Sequence, residues 1–245
     1  MPKFLDMYYQ KSGTGAPILL LHGWGASSQI FHNITQDLAD NFTVYAVDFW
    51  GFGKSEKPSI DANLFDYTVA IAKFCLEIIK SPCVIVGHSF GGRVAILLSA
   101  KYPQLVSKLV LVDSAGMLPR FNLRKALQIK KYKKLKHQVE VGKKDKSALD
   151  KFGSADFRAL PNEMKKVFVC VVNLDLVPFA KRINTPTLIF WGKKDKDTPI
   201  YMAKRLNHCI KNSKLMVVNG GHFSFLDVPK KFLHAFYRFV LEENL

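Results

Sequence analysis

A serine at 89, an aspartate at 195 and a histidine at 222 follow one another along this chain in settings that suit proton transfer and nucleophilic attack. Ser89 lies in Val84-Ile-Val-Gly87-His-Ser-Phe-Gly91-Gly92, with a glycine two residues to either side. β-type residues precede it and the helix-compatible run Arg93–Leu98 follows, which is the setting of a nucleophile elbow. A sharp, strained turn holds such a hydroxyl clear of the backbone, and the glycines let the chain double back. The helix beginning after Ser89 aims free N–H groups and its positive dipole end at the point where an oxyanion develops. A hydroxyl is a weak nucleophile. It needs an imidazole to take its proton and a carboxylate to fix the imidazole's tautomer. Asp195 lies in the turn Gly192–Pro199 after the apolar run Thr187–Trp191, and His222 closes Asn219–His222 after Leu215–Val218. Ser89, Asp195 and His222 are the expected nucleophile, acid and base.

The elements that must position these residues follow from apolar patterning. Residues 3–10 and 18–22 read as early strands joined by the Gly-rich turn Ser12–Gly15, and residues 28–40 as a helix. Phe42–Asp48 is a strand, 64–80 a helix, Cys83–Gly87 the elbow strand, 90–102 the helix behind it, and Lys108–Asp113 the next strand. Alternating strands and helices predict an α/β fold with a mostly parallel sheet covered on both faces. Ligands of such sheets bind at the carboxyl ends of the strands, where all three residues fall.

Between Asp113 and Thr187 the alternation stops. Leu123, Leu127, Ile129, Tyr132, Leu135 and Val139 recur at near-helical spacing, as do Met164, Val167, Phe168, Val171 and Val172, so helices that pack on the core are expected. The front of this stretch is strongly basic. Residues 120–151 hold twelve Lys or Arg against Glu140, Asp145 and Asp150, a local charge of +9 within a chain of net charge +16. A solvated helix face is the first account of that charge; the functional alternative is an acidic partner or substrate steered to it by its field. No nucleic-acid-binding module accompanies it, and no apolar run is long enough to anchor a membrane.

Five landmarks in order resemble the α/β-hydrolase superfamily across nearly the whole chain. They are Leu21-His-Gly-Trp-Gly25, Asp48-Phe-Trp-Gly51-Phe-Gly53-Lys-Ser55, the elbow, Trp191-Gly192-x-x-Asp195 and Gly221-His222. The resemblance implies a core domain of residues 1–115 and 183–245, with residues 116–182 as a helical lid. It implies oxyanion-hole N–H groups from Trp24 and Phe90. Asp113 and Asp197 are the alternative acids that relatives and position suggest. It implies acyl transfer, carboxylic esters being the commonest substrates; with no phosphate-binding Gly-rich motif and no histidine cluster at metal spacing, neither a cofactor nor a metal is expected. The Leu-His-Gly-Trp-Gly loop is similar to esterases acting on pimeloyl carrier protein, whose acidic partner would suit the basic lid. Gly-x-Ser-Phe-Gly-Gly is also compatible with carbon–carbon hydrolases of 2-hydroxy-6-oxo-dienoates. A ligand-binding protein that kept the triad is the reading from another class. The substrate-binding residues stay unassigned.

Composition is compatible with one domain of 245 residues, with an apolar fraction of 48%. The start, Met1–Gln10, lacks a signal peptide's apolar core, so a cytoplasmic location is expected. Cys75, Cys83, Cys170 and Cys209 form no C-x-x-C pair and read as reduced core thiols. His22 and His88 flank the site as scaffold: one orders the oxyanion loop and the other packs beside the elbow. His32, His137, His208 and His234 show no metal-ligand spacing. Asp48 reads as the residue that ties down its own turn, and Trp50 as a change in the pocket wall.

Overall fold

The computed structural model of the chain describes residues 7–57, 62–118, 123–151, 157, 160 and 162–241. Seven strands form one sheet: β1 (Tyr9–Ser12), β2 (Ala16–Leu21), β3 (Phe42–Val47), β4 (Cys83–His88), β5 (Val106–Val112), β6 (Thr187–Gly192) and β7 (Ser213–Val218). Their order is β1-β3-β2-β4-β5-β6-β7, with β1 antiparallel to β3 and every other pair parallel.

Period-two alternation feeds two cores from this one sheet. Leu19, Leu21, Ile85, Leu109, Leu111, Ile189 and Trp191 face one layer, which contains α2 (Leu64–Phe74) and α3 (Phe90–Lys101). Ile18, Leu20, Val84, Val86, Val110, Val112 and Phe190 face the other, which contains α1 (His32–Ala39) and the C-terminal helix Pro229–Leu241. Strands buried on both faces need apolar residues at every position, and these have them.

Two details differ from the sequence-based expectations, at the first strand and at the helix expected over 64–80. The first strand covers Tyr9–Ser12 instead of 3–10, and residues 1–6 lie outside the described residues. Ser12–Gly15 joins the first two strands as expected, but the two do not pair with each other, because β3 lies between β1 and β2 in the sheet. The turn crosses the α1–β3 connection so closely that a Cβ at Gly13 would collide with the carbonyls of Ala39 and Phe42. The helix expected over 64–80 is α-helical only to Phe74. A π-turn, Cys75–Ile79, follows and ends at Lys80 with φ 64°.

Between β5 and β6 lie α4 (Leu123–Glu140), a 3₁₀ turn (Lys146–Lys151), α5 (Asn162–Val172) and a short helix (Val177–Ala180). The α5 segment packs on the core as expected, through Met164, Val167 and Val171. The α4 segment departs from expectation: Leu127 is 59% exposed and Ile129 56%. These two positions are about 200° apart around a helix, so one core-facing stripe cannot hold both. Lys130, Lys131, Lys133, Lys134 and Lys136 are also exposed on α4, and Arg120 lies outside the described residues. The two ends of the segment are tied to each other, and its base is tied to the sheet domain. Leu176 N–H donates to Gly116 O (2.9 Å), and the buried Arg93 guanidinium donates to Leu174 O (2.5 Å).

Candidate active site

Ser89 joins β4 to α3 with φ 49° and ψ −110°, a conformation that costs a side-chain-bearing residue about 1–3 kcal/mol. Its neighbours hold the strain in place. Ser89 N–H donates to Val112 O, and Ser89 O accepts from the N–H groups of Gly92, Arg93 and Ala115. The glycines are there because nothing larger fits. A Cβ at Gly87 would stand 2.7 Å from Gly91 O, one at Gly91 would collide with Leu21 O, and one at Gly92 with Ser114 Oγ.

The three sequence-identified residues converge above this elbow. His222 Nε2 is 3.0 Å from Ser89 Oγ, and His222 Nδ1 is 2.9 Å from Asp195 Oδ2. Asp195 is held from the other side as well. Its Oδ1 accepts the N–H groups of Asp197 (2.8 Å) and Thr198 (2.9 Å), and its Oδ2 accepts the Thr198 hydroxyl (2.6 Å). Burial works to raise the Asp195 pKa, but the hydrogen bonds from His222 and Thr198 outweigh it and hold the carboxyl below its usual range. For His222 burial works downward. The hydrogen bond and charge of Asp195 outweigh that, so the imidazole titrates above its usual value. An ionised carboxylate accepts the Nδ1–H and leaves the Nε2 lone pair facing the serine hydroxyl, as a general base requires.

Trp24 and Phe90 stand on either side of the elbow, their rings 5.2 Å apart and edge-on. Phe90 is the first residue of α3, where an N–H has no intrahelical acceptor. Neither the Trp24 nor the Phe90 N–H makes a backbone hydrogen bond among the described residues. Gly91 N–H donates to His22 O (3.0 Å) and links the two loops. His22 orders the first of them, with Nε2 accepting Phe49 N–H (3.0 Å) and Nδ1–H donating to Gly23 O (2.7 Å). Burial lowers its pKa to about 4, so it stays neutral in that role. Above Trp24 sits Phe168 of α5, edge-on at 5.2 Å, with Phe52 at 4.9 Å on another side of the indole.

Other expectations resolve by contact. Asp48 ties down its turn through Lys54 N–H (2.8 Å) and also receives Ser28 N–H (2.6 Å) at the start of the first helical segment. Trp50 is buried against Tyr67, whose hydroxyl donates to the Trp50 carbonyl (3.1 Å). Cys75, Cys83 and Cys209 are buried free thiols, but Cys170 is an exposed one on the outer face of α5, which corrects the expectation of core thiols throughout. Asp113 makes no hydrogen bond to His222; its carboxylate accepts the N–H groups of Gly192 and Ser224. Asp197 is exposed, and its N–H serves Asp195. Among the described residues the group with metal-ligand geometry is Asp195, Asp197 and His222. Two of its donor atoms, Asp195 Oδ2 and His222 Nδ1, are already hydrogen-bonded to each other.

Sequence reasoning missed two supports. Thr198 bonds Asp195, and its hydroxyl also lies 3.3 Å from His222 Nδ1; the sequence signal was a hydroxyl three residues beyond a turn aspartate. His88 Nε2 is 2.8 Å from the His222 carbonyl, a contact across 134 residues that no local pattern marks. A carbonyl only accepts, so Nε2 carries the proton. Burial, with the nearby His222, lowers the His88 pKa to about 3 and keeps the ring neutral.

A family model described as alpha/beta hydrolase fold matches residues 16–136. The chain is accordingly an α/β-hydrolase superfamily member, and its sheet, elbow and strand order give it the α/β-hydrolase fold. It is 27% identical over 255 residues to 2-hydroxy-6-oxo-6-(2'-aminophenyl)hexa-2,4-dienoic acid hydrolase of Metapseudomonas resinovorans, covering 94% of this chain and 86% of that one. It is 26% identical over 255 residues to pimeloyl-[acyl-carrier protein] methyl ester esterase of Vibrio cholerae, covering 96% and 98%. The crystal structure of bromoperoxidase from Bacillus anthracis matches with a TM-score of 0.76 at 23% identity, over 96% of this chain and 95% of that one, a likeness of fold. No helix among the described residues is long and apolar enough to cross a membrane.

Proposed function

We propose that this chain is a serine hydrolase of carboxylic esters working through an acyl-enzyme. The observation that carries this reading is the unbroken hydrogen-bond line Asp195–His222–Ser89, at 2.9 and 3.0 Å, ending at a strained elbow serine. His222 Nε2 takes the proton from Ser89 Oγ as that oxygen forms a bond to the ester carbonyl carbon. The N–H groups of Trp24 and Phe90 receive the oxyanion, and Asp195 stabilises the imidazolium. The imidazolium then gives its proton to the departing alkoxide as the carbon–oxygen bond breaks. Water, deprotonated by the same imidazole, attacks the acyl-enzyme; acid is released and Ser89 Oγ recovers its proton. No step calls for a cofactor.

Residues 116–182 act as the lid in this reading, and Phe168 over Trp24 supports that role by placing α5 beside the oxyanion loop. The acyl group then lies against an apolar, largely aromatic wall, which favours an apolar chain. A narrower form of the reading takes a carrier-linked ester, with an acidic carrier protein docking on α4. Five exposed lysines there, and the similarity to an esterase of carrier-protein substrates, favour it. A cytoplasmic location belongs to the same reading.

Hydrolysis of p-nitrophenyl acetate to octanoate by wild type and Ser89→Ala tests the proposal. Turnover that falls at least 10³-fold in the variant is expected. Equal rates would overturn ester cleavage through Ser89, and a wild type that turns over only a 2-hydroxy-6-oxo-dienoate would replace it with the carbon–carbon reaction. Saturable binding with no turnover at all would favour a ligand-binding protein.

A further inference from the structure

Asp113 carries more contacts to the two catalytic loops than any role in shaping its own turn requires. It follows β5, between the strand that delivers Ser89 and the strand that delivers Asp195, and it is fully buried. Its Oδ1 accepts Gly192 N–H (2.8 Å), at the root of the Asp195 turn. Its Oδ2 accepts both the N–H (2.9 Å) and the hydroxyl (2.6 Å) of Ser224, two residues beyond His222. Its main-chain carbonyl receives the Thr198 hydroxyl (3.0 Å), the group that also bonds Asp195. One residue thus grips the loop of the acid and the loop of the base. Its backbone stands at φ 44°, a left-handed conformation kept at some cost by a residue with a side chain.

We propose that Asp113 is a positioning residue that clamps the Asp195 turn and the His222 loop to each other, so that the acid–base–nucleophile line keeps its register. The proposal rests on the catalytic reading of Ser89 and His222. A catalytic line loses rate when its members drift by half an ångström, and loops hung from separate strands need a common tether to prevent it. Asp113 supplies that tether with donors arriving at both carboxylate oxygens. Two of these donors are backbone N–H groups, which cannot reverse. Burial raises its pKa to about 7 against the pull of these hydrogen bonds, and Asp195 adds to the rise.

Asp113→Asn is the informative change. Asparagine tolerates the left-handed backbone and keeps the volume. Whichever way its amide points, its NH₂ meets a backbone N–H, of Gly192 or of Ser224, so one loop is released. The charges facing His222 are Asp195, Asp197 and Asp113, which raise its pKa. The neutral ring of His88 packs beside it at 5.0 Å. Removing the Asp113 charge therefore moves the acid limb of activity to lower pH.

The experiment measures the labelling rate of Ser89 by a fluorophosphonate against pH, with kcat and KM for a p-nitrophenyl ester. It compares wild type, Asp113→Asn, Ser224→Ala and Ser89→Ala, with circular dichroism and Tm to establish folding. The folded Asp113→Asn variant is expected to label 10- to 100-fold more slowly, to lose kcat at near-constant KM, and to show its acid limb at lower pH. Ser224→Ala, which removes one of the three donors, is expected to lose about threefold or more in kcat; if the asparagine variant does not fold, this variant decides. Wild-type rates, an unmoved limb, or a loss carried by KM alone would overturn the clamp. Labelling of wild type that Ser89→Ala abolishes establishes the catalytic reading separately, and a wild type that does not label overturns both.

Discussion

Exchanging Asp195 for asparagine tests the site where its geometry is most exacting. The new amide has two orientations. With its nitrogen at the Oδ1 position it would face the N–H groups of Asp197 and Thr198, now 2.8 and 2.9 Å from that oxygen. The buried Thr198 N–H and the partly buried Asp197 N–H would lose their acceptor, at about 1–3 kcal/mol each. With its nitrogen at the Oδ2 position, the Thr198 hydroxyl can turn wholly to the Asp113 carbonyl at 3.0 Å. The amide then donates to His222 Nδ1, which must give up its proton. The second orientation is favoured. It places the imidazole proton on Nε2, facing Ser89, so the base has no lone pair to offer. Recovering the active tautomer requires the disfavoured flip, about 2–6 kcal/mol, which corresponds to a loss in kcat of roughly 30-fold to 10⁴-fold. Stopped-flow acylation with p-nitrophenyl acetate measures this directly, and Tm confirms that the fold survives. A folded Asp195→Asn variant keeping more than a tenth of wild-type kcat would refute the reasoning and return Asp113 as the acid.

Other perturbations reach separate parts of the structure. His222 must be neutral to accept the serine proton, and its pKa is raised, so kcat/KM should fall as pH drops through a midpoint above 6.5; a midpoint below 6.5 in a pH–rate profile would contradict the geometry. Phe168→Ala removes the ring over Trp24 and should raise KM for octanoate esters about 3- to 10-fold while leaving acetate within twofold, read from Michaelis kinetics across the chain-length series. Gly92→Ala drives a Cβ into Ser114 Oγ and should cost about 1–3 kcal/mol, seen as a Tm lowered by roughly 2–10 °C. Reversing Lys130, Lys131, Lys133 and Lys134 to glutamate should weaken kcat/KM on a carrier-linked ester in a salt-dependent way and spare a free ester; equal effects on both would remove the carrier from the reading.

The elbow was legible in the sequence because its chemistry is enforced by backbone geometry. The chain passes so close to itself at Gly87, Gly91 and Gly92 that only glycine fits, and that necessity is written in residue type at fixed spacing. Asp195 and His222 were legible for a related reason, since each follows directly on an apolar strand that must run into the parallel sheet. The Asp113 clamp was not legible. Its partners lie 79 and 111 residues away, and periodicity carries no record of which loop ends meet above a sheet. Asp113 could be noticed as a carboxylate at a strand end; only the fold shows that it grips two other loops.

The helices between β5 and β6 show where periodicity itself misleads. In α5, Met164, Val167 and Val171 fall at steps of three and four, and all three are buried. That stripe fixes the helix, and Phe168, one residue around from it, is thereby turned onto Trp24. In α4 the apolar residues are sparser, Leu127 and Ile129 straddle the helix, and lysines fill the space between them and Tyr132, Leu135 and Val139. A helix with so little apolar stripe gains little by burial. Its exposed lysines repel one another across its outer face, a repulsion that salt, the Lys136–Glu140 pair and any acidic surface brought against them each reduce. The two helices thus divide the segment physically: α5 is committed to the wall beside Ser89, and α4 is left facing solvent with its charge unspent. A partner that neutralised α4 would act on substrate capture while leaving the packing of α5 unchanged. Salt should therefore move KM on a carrier-linked ester and leave kcat alone.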